Sequence, residues 1–122
     1  MKRLELYAMN RAILTGFMLF FVGQAMIWYQ TNSQFFNTWA KEHPIIMATM
    51  GWPISYILIL ASREVVMGFD GMLWPGRLLG FASGMIVMAA LTYLHMGESI
   101  NMKTGVTLIL ALAITLIQVF WK

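Results

Sequence analysis

The chain is 122 residues long, 60% hydrophobic and only 11% charged, with a formal net charge of +3 at pH 7. Soluble domains carry about 25% charged residues, so this composition excludes an ordinary water-soluble globule. The small positive surplus gives no argument for nucleic acid as a partner, and the absence of cysteine excludes disulfides, thiolate metal sites and thiol catalysis.

Four long apolar runs hold most of the chain: 12–29, 45–61, 78–95 and 105–121. As helices of about 17 to 18 residues each would be roughly 26 Å long, close to the ~30 Å hydrocarbon core of a bilayer. The expected fold is all-α: one integral membrane domain over residues 1–122, a bundle of four transmembrane helices at about 12–29, 45–62, 77–95 and 104–121. The lipid bilayer is then the first partner.

Charge sets the orientation. With the N-terminus inside, Lys2, Arg3, Arg11, Arg63, Arg77 and Lys122 face the cytoplasm, and only Lys41 and Lys103 face out. Six against two is a positive-inside bias, so both termini are expected to be cytoplasmic. The aromatic residues agree: Trp28, Tyr29 and Tyr93 mark the outer boundary, and Phe69, Trp74, Phe120 and Trp121 the inner one. The surplus fits a bacterial inner membrane.

Met1-Lys2-Arg3 leads into the first run without a small-residue cleavage site, which reads as a retained signal-anchor. Residues 1–11 are expected to form a helical extension at the inner interface. In the outer loop 30–43, Ser33 is a plausible N-cap for a short amphipathic helix carrying Phe35, Phe36, Trp39 and Ala40; the alternative is a loop with aromatic anchors. Pro44 suits a helical first turn.

The second span contains Gly51-Trp52-Pro53, where proline removes a hydrogen bond and frees the carbonyl of Thr49. A kink is expected, and a freed carbonyl in lipid must find a partner or line a wet cavity. With Trp52 and Tyr56, and with Gln24 from the first span, it makes a candidate polar pocket for a small solute. Each of these side chains also has a bland reading, as packing or as interhelical hydrogen bonding.

In the inner loop, Phe69-Asp70-Gly71 reads as a turn and Pro75 as the start of the third span. Arg77 in the first turn opposes the helix dipole, so it is expected to seek a carboxylate; Arg63, Glu64, Asp70 and Arg77 are the candidate ion-pair set, against a solvated loop as the alternative. The third span carries Gly80 and Gly84, a small-xxx-small pair that admits another backbone within the bundle or across a dimer. The fourth presents Thr104, Thr107, Ala111, Thr115 and Gln118 on one small, polar face, and the first offers Ala12, Gly16 and Gly23 on one side with Gln24 beside them. Gly80, Gly84, Thr107, Ala111 and Thr115 are the expected packing or oligomer contacts.

No ionisable residue lies at the centre of a span, which argues against a pump working through a midplane carboxylate. His43 and His95 fall at the outer boundary, where two imidazoles either ligate a metal or haem iron or stand unrelated; no third ligand accompanies them. No zinc-protease, phosphate-loop or serine-triad pattern can be assembled. No catalytic residue, metal or cofactor is therefore expected, and the protein is not read as an enzyme.

The long third helix ending in His95-Met96-Gly97-Glu98, then Ser99-Ile100, then Leu108-Ile109-Leu110, resembles the end of a drug/metabolite transporter repeat and the related small multidrug resistance proteins. The resemblance covers the third span, the turn and the fourth span; chain length and span number also match that family's plan. It implies a four-helix fold, oligomerisation and transport of a small solute. The family's first helix carries an embedded glutamate that binds substrate and protons, where this chain offers Gln24. The family's last helix pairs glycines, where this chain has Thr107 and Ile114. The expected function is a small, oligomeric four-span protein that binds or transports a small solute. The alternative is a non-catalytic accessory subunit of a larger membrane complex.

Overall fold

A computed structural model describes residues 2–121. Six α-helices follow one another: α1 (Lys2–Asn32), α2 (Thr38–Glu42), α3 (Pro44–Ala48), α4 (Gly51–Gly68), α5 (Leu73–Met96) and α6 (Met102–Phe120), with a 3-10 turn at Ser33–Phe35 after α1. No strand occurs among the described residues. Four segments are long and apolar enough to cross a bilayer: Lys2–Phe35, Pro44–Gly68, Leu73–Met96 and Met102–Phe120. The protein is an all-α, four-helix integral membrane bundle.

α1 is 31 residues long, roughly 46 Å at 1.5 Å per residue, and so outreaches the hydrocarbon core. The helix runs unbroken through Lys2–Arg11, which places the expected extension on the axis of the first span. Its far end differs from expectation. The Ser33 hydroxyl donates to the carbonyl of Tyr29 and caps nothing. The cap belongs to Asn37, whose side chain accepts from the Ala40 amide at 3.1 Å and starts the five-residue α2.

Pro44 sits at the first position of α3. The expected kink is a break, with α3 ending at Ala48 and α4 beginning at Gly51. The Thr49 carbonyl is not left free, because the Trp52 amide donates to it at 3.3 Å, a tighter turn in place of the bond that Pro53 cannot make. At the inner turn Asp70 and Gly71 both take positive φ, 58° and 87°. α5 starts earlier than the apolar run, at Leu73, and Pro75 falls in its first turn, where a missing amide hydrogen leaves no helical bond unmade. Gly97, at φ 66°, ends α5, and the Asn101 side chain accepts from the Thr104 amide at 2.8 Å to begin α6.

α1 lies between α4 and α5, packs most extensively on α4, and shares with both a core of Phe20, Ala61, Val65 and Leu79. Two close crossings join α1 to α4: Gly16 meets the backbone of Ala61 and Val65, and Gly68 meets that of Met9 and Ile13. Glycine is needed at both, because a side chain would displace the facing backbone. α6 is peripheral, making its only extensive contact with α5 and burying one residue, Ala111.

Successive spans run in alternate directions. Gly68 at the end of α4 lies against Met9 and Ile13 near the start of α1, whereas Tyr29 near the end of α1 reaches His95 near the end of α5. Lys2, Arg3, Arg11, Arg63 and Arg77 thus share one end with Trp121, the arrangement that the expected positive-inside orientation requires. Lys122 lies outside the described residues.

Candidate functional site: a lateral cleft at the α1–α5 seam

The seam between α1 and α5 is built from two pairs with the same spacing. Phe20 and Gln24, one turn apart on α1, project onto Gly80 and Gly84, one turn apart on α5. A side chain at Gly80 would come within 3.2 Å of the Phe20 ring, and one at Gly84 within 3.0 Å of the Gln24 amide oxygen. The small-xxx-small pair therefore serves packing inside the bundle, where it receives two large side chains. The Gln24 amide donates to the Gly80 carbonyl at 3.5 Å, a long bond, and the buried Ser83 hydroxyl donates to the same carbonyl at 2.8 Å.

Beside this seam, α4 and α5 diverge over α1 and leave a cleft of about 430 Å³, within the range of small-ligand sites. Phe20, Leu58, Phe81 and Met85 give it apolar walls; Gln24, Ser62 and Arg77 are its polar side chains, and no α6 residue lines it. Arg77 enters from the basic end. Trp28 closes the same seam beyond the cleft, donating from Nε1 to the Thr92 hydroxyl at 3.0 Å.

Comparison with protein-family descriptions, curated proteins and solved structures finds no match.

The four residues of the expected pocket do not converge. Gln24 lines the cleft, but Trp52 is 89% exposed and Tyr56 64%, on the far side of α4. The reason lies in helix phase: Ile54, Ala61, Val65 and Gly68 form the buried stripe of α4, and positions 52 and 56 fall opposite it. Thr49 is exposed, and its hydroxyl donates to the Ile46 carbonyl at 2.6 Å. The inner-loop set does not pair either, for among the described residues no carboxylate lies within salt-bridge distance of a basic group. Arg63, Asp70 and Arg77 are exposed, Glu64 is half-buried, and Arg77 also lines the cleft.

On α6 only Ala111 of the expected packing face is buried. The Thr107 hydroxyl donates to the Lys103 carbonyl at 3.0 Å and that of Thr115 to the Ala111 carbonyl at 3.2 Å, so both are satisfied within their own helix. Ser62, Phe20 and Phe81 are cleft residues that sequence reasoning missed. The available signal was their one-turn spacing from Leu58, Gln24 and Arg77.

The two histidines have separate surroundings. His95 stacks on Phe36 and on Trp28, each at a 5.3 Å centroid distance, and its Nε2 lies 2.8 Å from the Tyr29 hydroxyl. His43 stacks on Trp39 at 4.5 Å, with Nδ1 2.7 Å from the Trp39 carbonyl. No group of three metal-binding side chains occurs among the described residues. The His95 cluster joins the outer ends of α1 and α5 with stacked rings and hydrogen bonds, an arrangement that suits an interfacial belt.

Proposed function

We propose that this is a small solute-binding or solute-transporting protein of a bacterial inner membrane, acting at the α1–α4–α5 cleft and working as an oligomer. The observation that carries this reading is the cleft itself, where the exposed Ser62 and Arg77 line the basic end and the half-buried Gln24 amide the deep end, beside apolar walls in a bundle only four helices wide. Of these only Gln24 lies well inside a span, and a polar group at that depth is expensive unless it serves a helix contact or a ligand. Four helices enclose little volume, so a second protomer over the open side would complete a path. The four-span plan supports kinship with small multidrug resistance proteins; with Gln24 in place of their glutamate, the site hydrogen-bonds a solute without itself exchanging a proton.

The test uses the absence of cysteine. Ser62→Cys gives the chain one thiol, on the cleft wall. A membrane-impermeant maleimide applied from the cytoplasmic side labels it if water reaches the cleft, and the reading fails if the thiol reacts no faster than one placed at the lipid-facing Ile59.

The second reading, a non-catalytic accessory subunit of a larger complex, draws on α6. Its apolar side chains Val106, Ile109, Leu110 and Leu116 are exposed, and it leans mainly on α5. Mild solubilisation separates the two: a homo-oligomer supports the first reading, and co-purification with a different chain at fixed ratio supports the second.

A further inference from the structure

The cleft has a chemistry more specific than "small solute". Its polar groups differ in kind and are not evenly spread. Arg77 is cationic, stands exposed at the basic end, and has no carboxylate within salt-bridge distance among the described residues. A guanidinium on the wall of a cleft, without an internal counter-ion, is complementary to a carboxylate or phosphate, which it grips through two parallel hydrogen bonds. From Arg77 to Gly84, seven residues along α5, the groove continues roughly 10 Å toward mid-membrane. Over that stretch its walls are Phe20, Leu58, Phe81 and Met85, with the Gln24 amide at the deep end.

Charge at the inner leaflet and an apolar groove running inward describe an anionic amphiphile lying parallel to the helices. The route of entry agrees. The cleft lies between α4 and α5 with α1 as its floor, and α6, on another face of α5, does not cover it. In a bilayer that open side faces lipid, and its rim residue Phe81 is 53% exposed. We infer that the cleft binds the headgroup phosphate of an anionic membrane phospholipid at Arg77 and one of its acyl chains along the groove, taken sideways from the cytoplasmic leaflet. This rests on the reading of the cleft as a ligand site and names the class of its ligand.

The experiment is native mass spectrometry of the full-length protein released from detergent micelles, with phosphatidylglycerol and phosphatidylcholine of identical chains as probes. The expected result is retention of phosphatidylglycerol in preference to phosphatidylcholine. Arg77→Gln lowers that retention about tenfold, as loss of one charge-assisted bidentate contact would. Arg77→Lys, which keeps the charge, recovers part of it, and Arg63→Gln, at the same membrane end but outside the cleft, leaves it unchanged.

Equal losses in Arg77→Gln and Arg63→Gln would reduce the effect to diffuse surface charge and overturn the inference, as would equal retention of the two lipids. Displacement of phosphatidylglycerol by millimolar inorganic phosphate would also overturn it, by showing that a soluble anion occupies the site. Labelling at Ser62→Cys separates this failure from that of the broader reading. A reactive thiol with no lipid preference leaves a solute site of another class, whereas an unreactive thiol with no retained lipid removes the site altogether.

Discussion

Gly16→Ala is the sharpest probe of what holds the bundle together. A β-carbon at position 16 would lie 2.9 Å from the Ala61 carbonyl oxygen and 2.9 Å from the Val65 amide nitrogen, and would also press on Val65 Cγ2. Ordinary contact begins near 3.4 Å, so α1 and α4 would have to part by 3.4 minus 2.9, about half an ångström. Two of the three obstructing atoms are backbone and cannot rotate away. Overpacking of this kind costs about 1–3 kcal/mol, and the greater helix propensity of alanine offsets about 1 kcal/mol, leaving a net loss of about 0–2 kcal/mol.

Gly51→Ala is the internal control. Its nearest neighbour would be the Gln30 amide nitrogen at 3.6 Å, so that substitution should be neutral or stabilise by up to about 1 kcal/mol. The assay is reversible unfolding in mixed micelles with a rising fraction of denaturing detergent, followed by far-UV circular dichroism. A Gly16→Ala protein as stable as the Gly51→Ala control would refute close backbone approach as the basis of the α1–α4 contact.

Gly84→Ala should be tolerated to within about 1 kcal/mol, because the Gln24 amide it meets is the far end of a flexible side chain, whereas Gly84→Leu should lose about 2–3 kcal/mol in the same unfolding assay. Trp28→Phe keeps an aromatic ring but drops the bond to Thr92. It should lose about 1 kcal/mol, and combining it with Thr92→Val should add almost nothing further, the signature of one shared hydrogen bond. Cysteines at the exposed Ser99 and Met72 report orientation: an impermeant reagent on intact cells should label Ser99→Cys at once and Met72→Cys only after permeabilisation. The reverse pattern would invert the topology.

The spans were legible in the sequence because lipid imposes a coarse rule: every backbone group must be satisfied within its own segment, and apolar length follows bilayer thickness. Boundaries were less legible. Arg11 suggested an end to the first span, yet charge does not stop a helix that continues into the interface, and α1 runs back to Lys2. The proline at position 53 marked the disturbance in the second span, but whether it bends or breaks depended on Trp52 finding the Thr49 carbonyl.

Facing was the least legible property. Depth in the membrane can be counted along the chain, and it put Trp52 and Gln24 at comparable interior levels. Which side of a helix meets its neighbour was decided by the glycine crossings at Gly16 and Gly68, which turned Gln24 inward and Trp52 out. Gly16 carried a readable signal, standing with Ala12 and Gly23 on one side of the first span. Gly68 carried less, because it sits beside the charged inner loop and resembles a turn residue. Arg77 was recognised as a cation that seeks an anion; among the described residues no carboxylate comes within salt-bridge distance of it, and its side chain is exposed.

The one-sided attachment of α6 bears on how the protein is made. Spans leave the insertion machinery in order, and the contacts among α1, α4 and α5 can all form while the final helix is still being synthesised. The last segment then docks onto a finished three-helix unit, so a slow or mistaken insertion at that stage spares the interior. Substitutions in α6 therefore meet fewer neighbours than substitutions in α1, α4 and α5, which answer to one another.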